Sequence, residues 1–112
     1  MNKSDAFWTG EYSAKYVVTG TASTVNLTIE NDSGGTSQYS SKTLPWEYEL
    51  SGKLEQYGFD FLYVSAQNNS SSGSVTAQIY VKKSYEDDYH LVKTSTSSGS
   101  YVIATASTSL SK

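Results

Sequence analysis

The chain of 112 residues predicts an all-β protein, an antiparallel β-sandwich of about seven to eight strands, from three observations. Short runs alternate apolar and polar residues at the two-residue period of a pleated strand. Clusters of Gly, Asn, Asp and Ser interrupt those runs roughly every ten residues, the spacing of sandwich and barrel strands. No stretch carries apolar residues at the helical period. Composition agrees: 33 residues are Ser or Thr and 10 are Tyr. Thr and Tyr favour strands, whereas Ser and Asn favour the turns between them.

The elements follow in order. Residues 1–14 show no period and read as a tether before a single domain over 15–112, although Phe7 and Trp8 can dock on that domain. KYVVTGTA, from Lys15, is the first strand. In TVNLTIEN, Val25, Leu27 and Ile29 face one way and Asn26, Thr28 and Glu30 the other. NDSGG supplies residues that tolerate positive φ and predicts a turn into TSQYSSKT. Pro45 has no N–H to donate, so it belongs at a strand start or a sheet edge. Beyond it, Trp46, Tyr48 and Leu50 share a face opposite Glu47 and Glu49, and SGKLEQYG reads as a connection.

FDFLYVSAQ is apolar on both faces, with Phe59, Phe61 and Tyr63 against Leu62, Val64 and Ala66. That pattern suits a central strand covered on both sides, or one packed near a sandwich centre. After the loop NNSSSG, SVTAQIYV buries Val75, Ala77, Ile79 and Val81. KKSYEDDY then leads to HLVKTS, and SSG leads to YVIATASTSL. YVVTGTAST and YVIATAST echo one another. A duplicated half would explain the echo, but strands built of Ser, Thr and Val repeat such words by chance. The regular period of a repeat array is missing.

Composition bounds the chemistry. There is no Cys, which excludes disulfides, thiolate metal sites and a Cys nucleophile. There is no Arg and the net charge is −3, which argues against nucleic acid as a partner. No segment reaches the roughly 18–20 apolar residues that span a bilayer, and the first residues carry no secretory apolar run.

The densest chemistry is YEDDYHL, which holds the lone histidine, His90, beside Glu86, Asp87 and Asp88. It falls between two strand patterns, so the acids read as a solvated hairpin tip. The alternating spacing of a calcium loop is absent, leaving at most a weak metal or ligand contact. No G-x-S-x-G elbow accompanies His90. Glu47 and Glu49 sit on a polar face, and Asp60, the one acid in an apolar run, reads as an edge or turn group. Trp46, Tyr48, Tyr57, Tyr63 and Tyr80 could form a sugar-stacking platform, or else plug the core and cover strands. Asn-x-Ser/Thr matches at Asn2, Asn26, Asn31, Asn68 and Asn69 follow from composition alone. We expect no catalytic residues, no cofactor and no metal. Lys82, Lys83 and Lys93 are expected to blunt a strand edge near one hairpin.

The words LPW (Leu44 to Trp46), FLYVSAQN (Phe61 to Asn68) and GSVTAQIYV (Gly73 to Val81) stand between YVVTGTASTVNLTIENDSGGTSQ and SGSYVIATASTSL. In that order they resemble the MmpS-like transport accessory family and its bacterial secreted and lipoprotein relatives, over roughly Lys15 to Leu110. The resemblance implies an immunoglobulin-like sandwich outside the cytoplasmic membrane, in the periplasm or at the cell surface. It implies a non-enzymatic module with a protein partner such as an RND-type transporter, held by a lipid or helix anchor. A carbohydrate-binding or adhesin-type domain is the alternative expectation. The chain departs from the family in lacking a membrane helix and in a longer loop at YEDDYHL.

Overall fold

Eight strands follow one another in the computed structural model, which describes residues 11–31, 33–53, 61–83 and 85–109. They are β1 (Glu11–Thr19), β2 (Thr24–Glu30), β3 (Thr36–Thr43), β4 (Trp46–Lys53), β5 (Phe61–Asn68), β6 (Ser74–Lys83), β7 (His90–Ser98) and β8 (Ile103–Ser109). All pairings are antiparallel. They build two four-stranded sheets, β4-β1-β6-β7 and β3-β2-β5-β8. The protein is a β-sandwich. β1 and β2 lie in different sheets, whereas the immunoglobulin constant-type arrangement keeps its first two strands in one sheet.

Alternation decides which side chains meet between the sheets. Val25, Leu27 and Ile29 of β2, Leu62, Val64 and Ala66 of β5, and Val75, Ala77 and Ile79 of β6 are all buried. Fully burying one such Val, Leu or Ile contributes roughly 1.5–3 kcal/mol, so this stripe pattern is the main source of stability. The NDSGG turn joins β2 to β3, held by Asn31, whose Oδ1 accepts from the Ser33 and Gly35 amides at 3.1 and 3.0 Å. Pro45 stands just before β4, an edge strand, as its missing N–H requires.

Four expectations change. β1 begins at Glu11, not Lys15: Glu11 pairs with Lys53, and Ala14, placed in the tether from sequence, is fully buried. Residues 1–10, with Phe7 and Trp8, lie outside the described residues. Part of the SGKLEQYG connection is strand, since β4 runs on through Lys53. β5 is an inner strand but is covered on one face only; Phe61 is 40% exposed and Tyr63 half-buried on the outer surface. Phe59 and Asp60 lie outside the described residues. Finally, Lys82 and Lys83 sit on β6, an inner strand, paired with Ser13 and Tyr12 of β1 but beyond the last β6–β7 pair, Val81–His90, whereas Lys93 lies on the edge strand β7.

The strand order has an internal two-fold. Advancing every strand by four turns β4-β1-β6-β7 into β8-β5-β2-β3, the second sheet read backwards. The echo between YVVTGTAST and YVIATAST does not follow this symmetry. It relates β1 to β8, whereas the two-fold relates β1 to β5.

The two flanks of the sandwich are filled differently. Between β3 and β4, Tyr39 packs on Trp46 (ring centroids 5.6 Å) and on Tyr48 (6.3 Å), and Tyr48 stacks on Tyr16. Between β7 and β8 the inward positions hold Ser95, Ala104 and Ala106, so those backbones lie close together. Rings hold one flank open, and small residues let the other close.

Candidate functional site

The β6–β7 hairpin carries the only histidine and the acids beside it. Glu86 does not point into solvent like a loop-tip acid. Its Oε1 accepts the Lys83 amide at 2.8 Å, its Oε2 meets His90 Nε2 at 3.2 Å, and its own amide donates to the Lys83 carbonyl at 2.9 Å. The carboxylate therefore ties the end of β6 to the start of β7. The hydrogen bond from the Lys83 amide is the main reason its pKa lies below the usual value of 4.5, and the His90 charge adds to that. Asp87 and Asp88 are exposed, as expected of a solvated tip.

Tyr89 folds back over the outer face of the first sheet. Its ring lies 4.8 Å from Lys15 Nζ and 5.5 Å from Lys82 Nζ, a cation–π bracket. Burial and the charge of Glu49 raise its pKa, and a hydrogen bond from Ser13 opposes the rise. Nothing in the local pattern distinguished Tyr89 from Tyr85, which is 56% exposed.

Beneath the hairpin, a cleft of about 280 Å³ opens between β7 and β8. Val81, Val92 and Thr108 give it an apolar wall, while Lys83, Glu86 and His90 add polar groups. It has room for a few side-chain-sized groups. Both Glu86 oxygens already have partners, and among the described residues no three of His, Asp and Glu converge as metal ligands. His90 bonds Glu86 rather than a serine hydroxyl. As a reactive centre the cleft offers, among the described residues, one carboxylate–imidazole pair and no nucleophile bonded to it.

The aromatic residues do not share a surface. Trp46 and Tyr48 are half-buried between the sheets, Tyr80 lies on the outer face of the first sheet against Lys15, and Tyr63 lies on the outer face of the second. Tyr57 is outside the described residues. What does appear is Phe61 stacked beside Tyr63 with centroids 6.5 Å apart, on the one face where alternation placed both, although Phe61 was not among the platform candidates. Glu47 and Glu49 are exposed on β4.

All four Asn-x-Ser/Thr asparagines among the described residues make hydrogen bonds within the fold, and Asn68 and Asn31 hold its connections. Asn68 is fully buried: its Nδ2 donates to the Ser72 and Gly99 carbonyls at 2.9 and 3.1 Å, and its Oδ1 accepts from the Ser70 amide and hydroxyl. It clasps the β5–β6 and β7–β8 connections together. Asn31 holds the β2–β3 turn.

No family model matches the chain, and neither does any curated protein.

Proposed function

We propose that this β-sandwich is a non-enzymatic contact module of the bacterial cell envelope, working outside the cytoplasm as a transport-accessory or protein-interaction domain. One observation carries the reading. The strands flanking the cleft, β7 and β8, are exposed along most of their length and dressed mainly with Ser and Thr. The edge of β8 offers backbone donors and acceptors to a partner, and Leu91, Val92 and Ile103 add exposed apolar side chains to the same two strands. The MmpS-like resemblance read from the sequence points to the same kind of role. In-cell crosslinking of the native protein, followed by envelope fractionation and mass spectrometry, tests it: the protein should be recovered in the envelope joined to another envelope protein.

A second reading rests on Phe61 and Tyr63, which lie side by side on an otherwise hydroxyl-rich sheet face. Two adjacent rings can stack on sugar, as a carbohydrate-binding or adhesin domain requires. Calorimetric titration with a glycan panel separates the two readings. Binding lost in Phe61→Ala favours the sugar-binding one.

A further inference from the structure

Among the described residues the sandwich has four edge strands, and three of them are guarded. β3 is bulged opposite Val25 to Leu27, where Ser41 takes φ 55° and its amide bonds Asn26, and it carries Lys42. β4 follows Pro45 and presents Glu47 and Glu49. β7 is bulged between its pairings with Ile79 and Tyr80 and carries His90 and Lys93. Bulges, prolines and charges are the devices that stop an edge from recruiting another strand. β8, IATASTS, has none of them: no charge, no proline and an unbroken register with β5 from Phe61–Ser109 to Gln67–Ile103.

The direction of its free groups can be read from one hydrogen bond. The Val102 carbonyl accepts the Asn68 amide of β5 at 2.9 Å. Backbone groups alternate sides along a strand, so Ala104 and Ala106 also turn toward β5. Thr105 and Ser107 turn their N–H and C=O to the open edge. The Ile103 carbonyl on that side is already taken by the Ser97 hydroxyl at 2.8 Å.

We propose that β8 pairs antiparallel with β8 of a second copy of this chain, joining the two second sheets into one eight-stranded sheet. This rests on the reading that the sandwich works by strand-edge contact. The strand is self-complementary about Ala106: Thr105 falls opposite Ser107 of the second copy, a hydroxyl pair that suits neighbouring strands. Ile103, 51% exposed, then falls opposite Ser109 of the second copy, one strand from the exposed ring of Phe61, which is paired with that serine. These exposed apolar side chains share the outer face and meet across the small serine. The far edges of the joined sheet are the bulged β3 strands, so the assembly closes at two copies rather than growing into a fibre.

Sedimentation velocity of the full chain over a concentration series tests this. The expected result is a dimer, twice the 12.2 kDa of the chain. Thr105→Pro removes an edge N–H that β5 does not use, and should return the monomer mass with the circular dichroism of the sandwich retained. The second variant, Thr105→Lys with Ser107→Lys, places like charges across the seam and should do the same. A wild type that stays monomeric up to millimolar concentration, or folded variants that still dimerise, would overturn the proposal. The parent reading fails separately. A dimer that captures no envelope protein in cells contradicts that reading alone, and a monomer that captures one contradicts only the pairing of β8.

Discussion

The Tyr16 hydroxyl donates a 2.6 Å hydrogen bond to the Glu30 carbonyl, from a ring with no solvent exposure. The same oxygen accepts the Tyr63 amide at 3.2 Å. Glu30 and Tyr63 are the next pair after Ile29 and Val64, where the β2–β5 ladder ends. A side chain from the first sheet is thus inserted between two strands of the second, in place of their next backbone hydrogen bond. It pins the sheets to one another at a defined position.

Tyr16→Phe keeps the ring and strands both backbone partners. Leaving a buried polar group unsatisfied costs about 1–3 kcal/mol, which for a domain of this size lowers Tm by roughly 4–8 °C per kcal/mol. The amide of Tyr63 should exchange with deuterium faster while amides of β6 are unaffected. Unchanged Tm and unchanged Tyr63 protection would contradict the bridging role.

Asn68 uses both ends of its amide, so Asn68→Ala orphans donors and acceptors in two connections at once. We expect a loss of about 3 kcal/mol, at the upper end for unpaired buried groups. Asn68→Asp should be no better, because a carboxylate oxygen would then face the Ser72 and Gly99 carbonyls. Urea unfolding of both variants reads the effect; a loss below about 0.5 kcal/mol would show the clasp to be dispensable.

Gly20 sits at φ +140°, where the chain leaves β1 and crosses to the other sheet. A Cβ there would overlap the Ser74 carbonyl oxygen, which accepts the Ala22 amide at 3.1 Å. Gly20→Ala combines a strained backbone with a clash against backbone, each costing about 1–3 kcal/mol. It should leave little folded protein at 37 °C, seen as loss of the cooperative melt. A wild-type melt would mean the crossing can relax.

Glu86 gives a pH signature. Its pKa is lower in the fold than its ordinary value of 4.5, so its contribution is full above about pH 4.5 and is lost as pH falls through the folded value. Wild type should melt above Glu86→Gln at pH 7, and the difference should shrink as pH falls below 4.5. A difference that does not change with pH across the acid range would place the effect in packing rather than in the carboxylate.

How far the sequence foretold this structure depends on the range of each interaction. Alternation is local, so the buried faces of β2 and β6 were legible, as were the NDSGG turn and the place of Pro45. Pairing order is not local. Nothing near Lys82 and Lys83 says that their strand will run between β1 and β7. Tyr16 finds partners 14 and 47 residues away, and its neighbours in sequence carry no trace of either. The internal two-fold is hidden for a related reason. Tyr39 beside Leu27 and Ser95 beside Ala77 occupy corresponding strands with unlike side chains. At YEDDYHL the exposed Asp87 and Asp88 were foreseen, but not the inward turn of Glu86, because its partner is the backbone amide of Lys83.

The central claim is that this sandwich acts by contact with protein outside the cytoplasm. In-cell crosslinking of the native protein, with envelope fractionation and mass spectrometry of the adducts, tests it most directly. The account predicts recovery in the envelope fraction, joined to an envelope protein through residues of the β7–β8 flank. Recovery from the cytosol, or from the envelope with glycan and no protein, would contradict it.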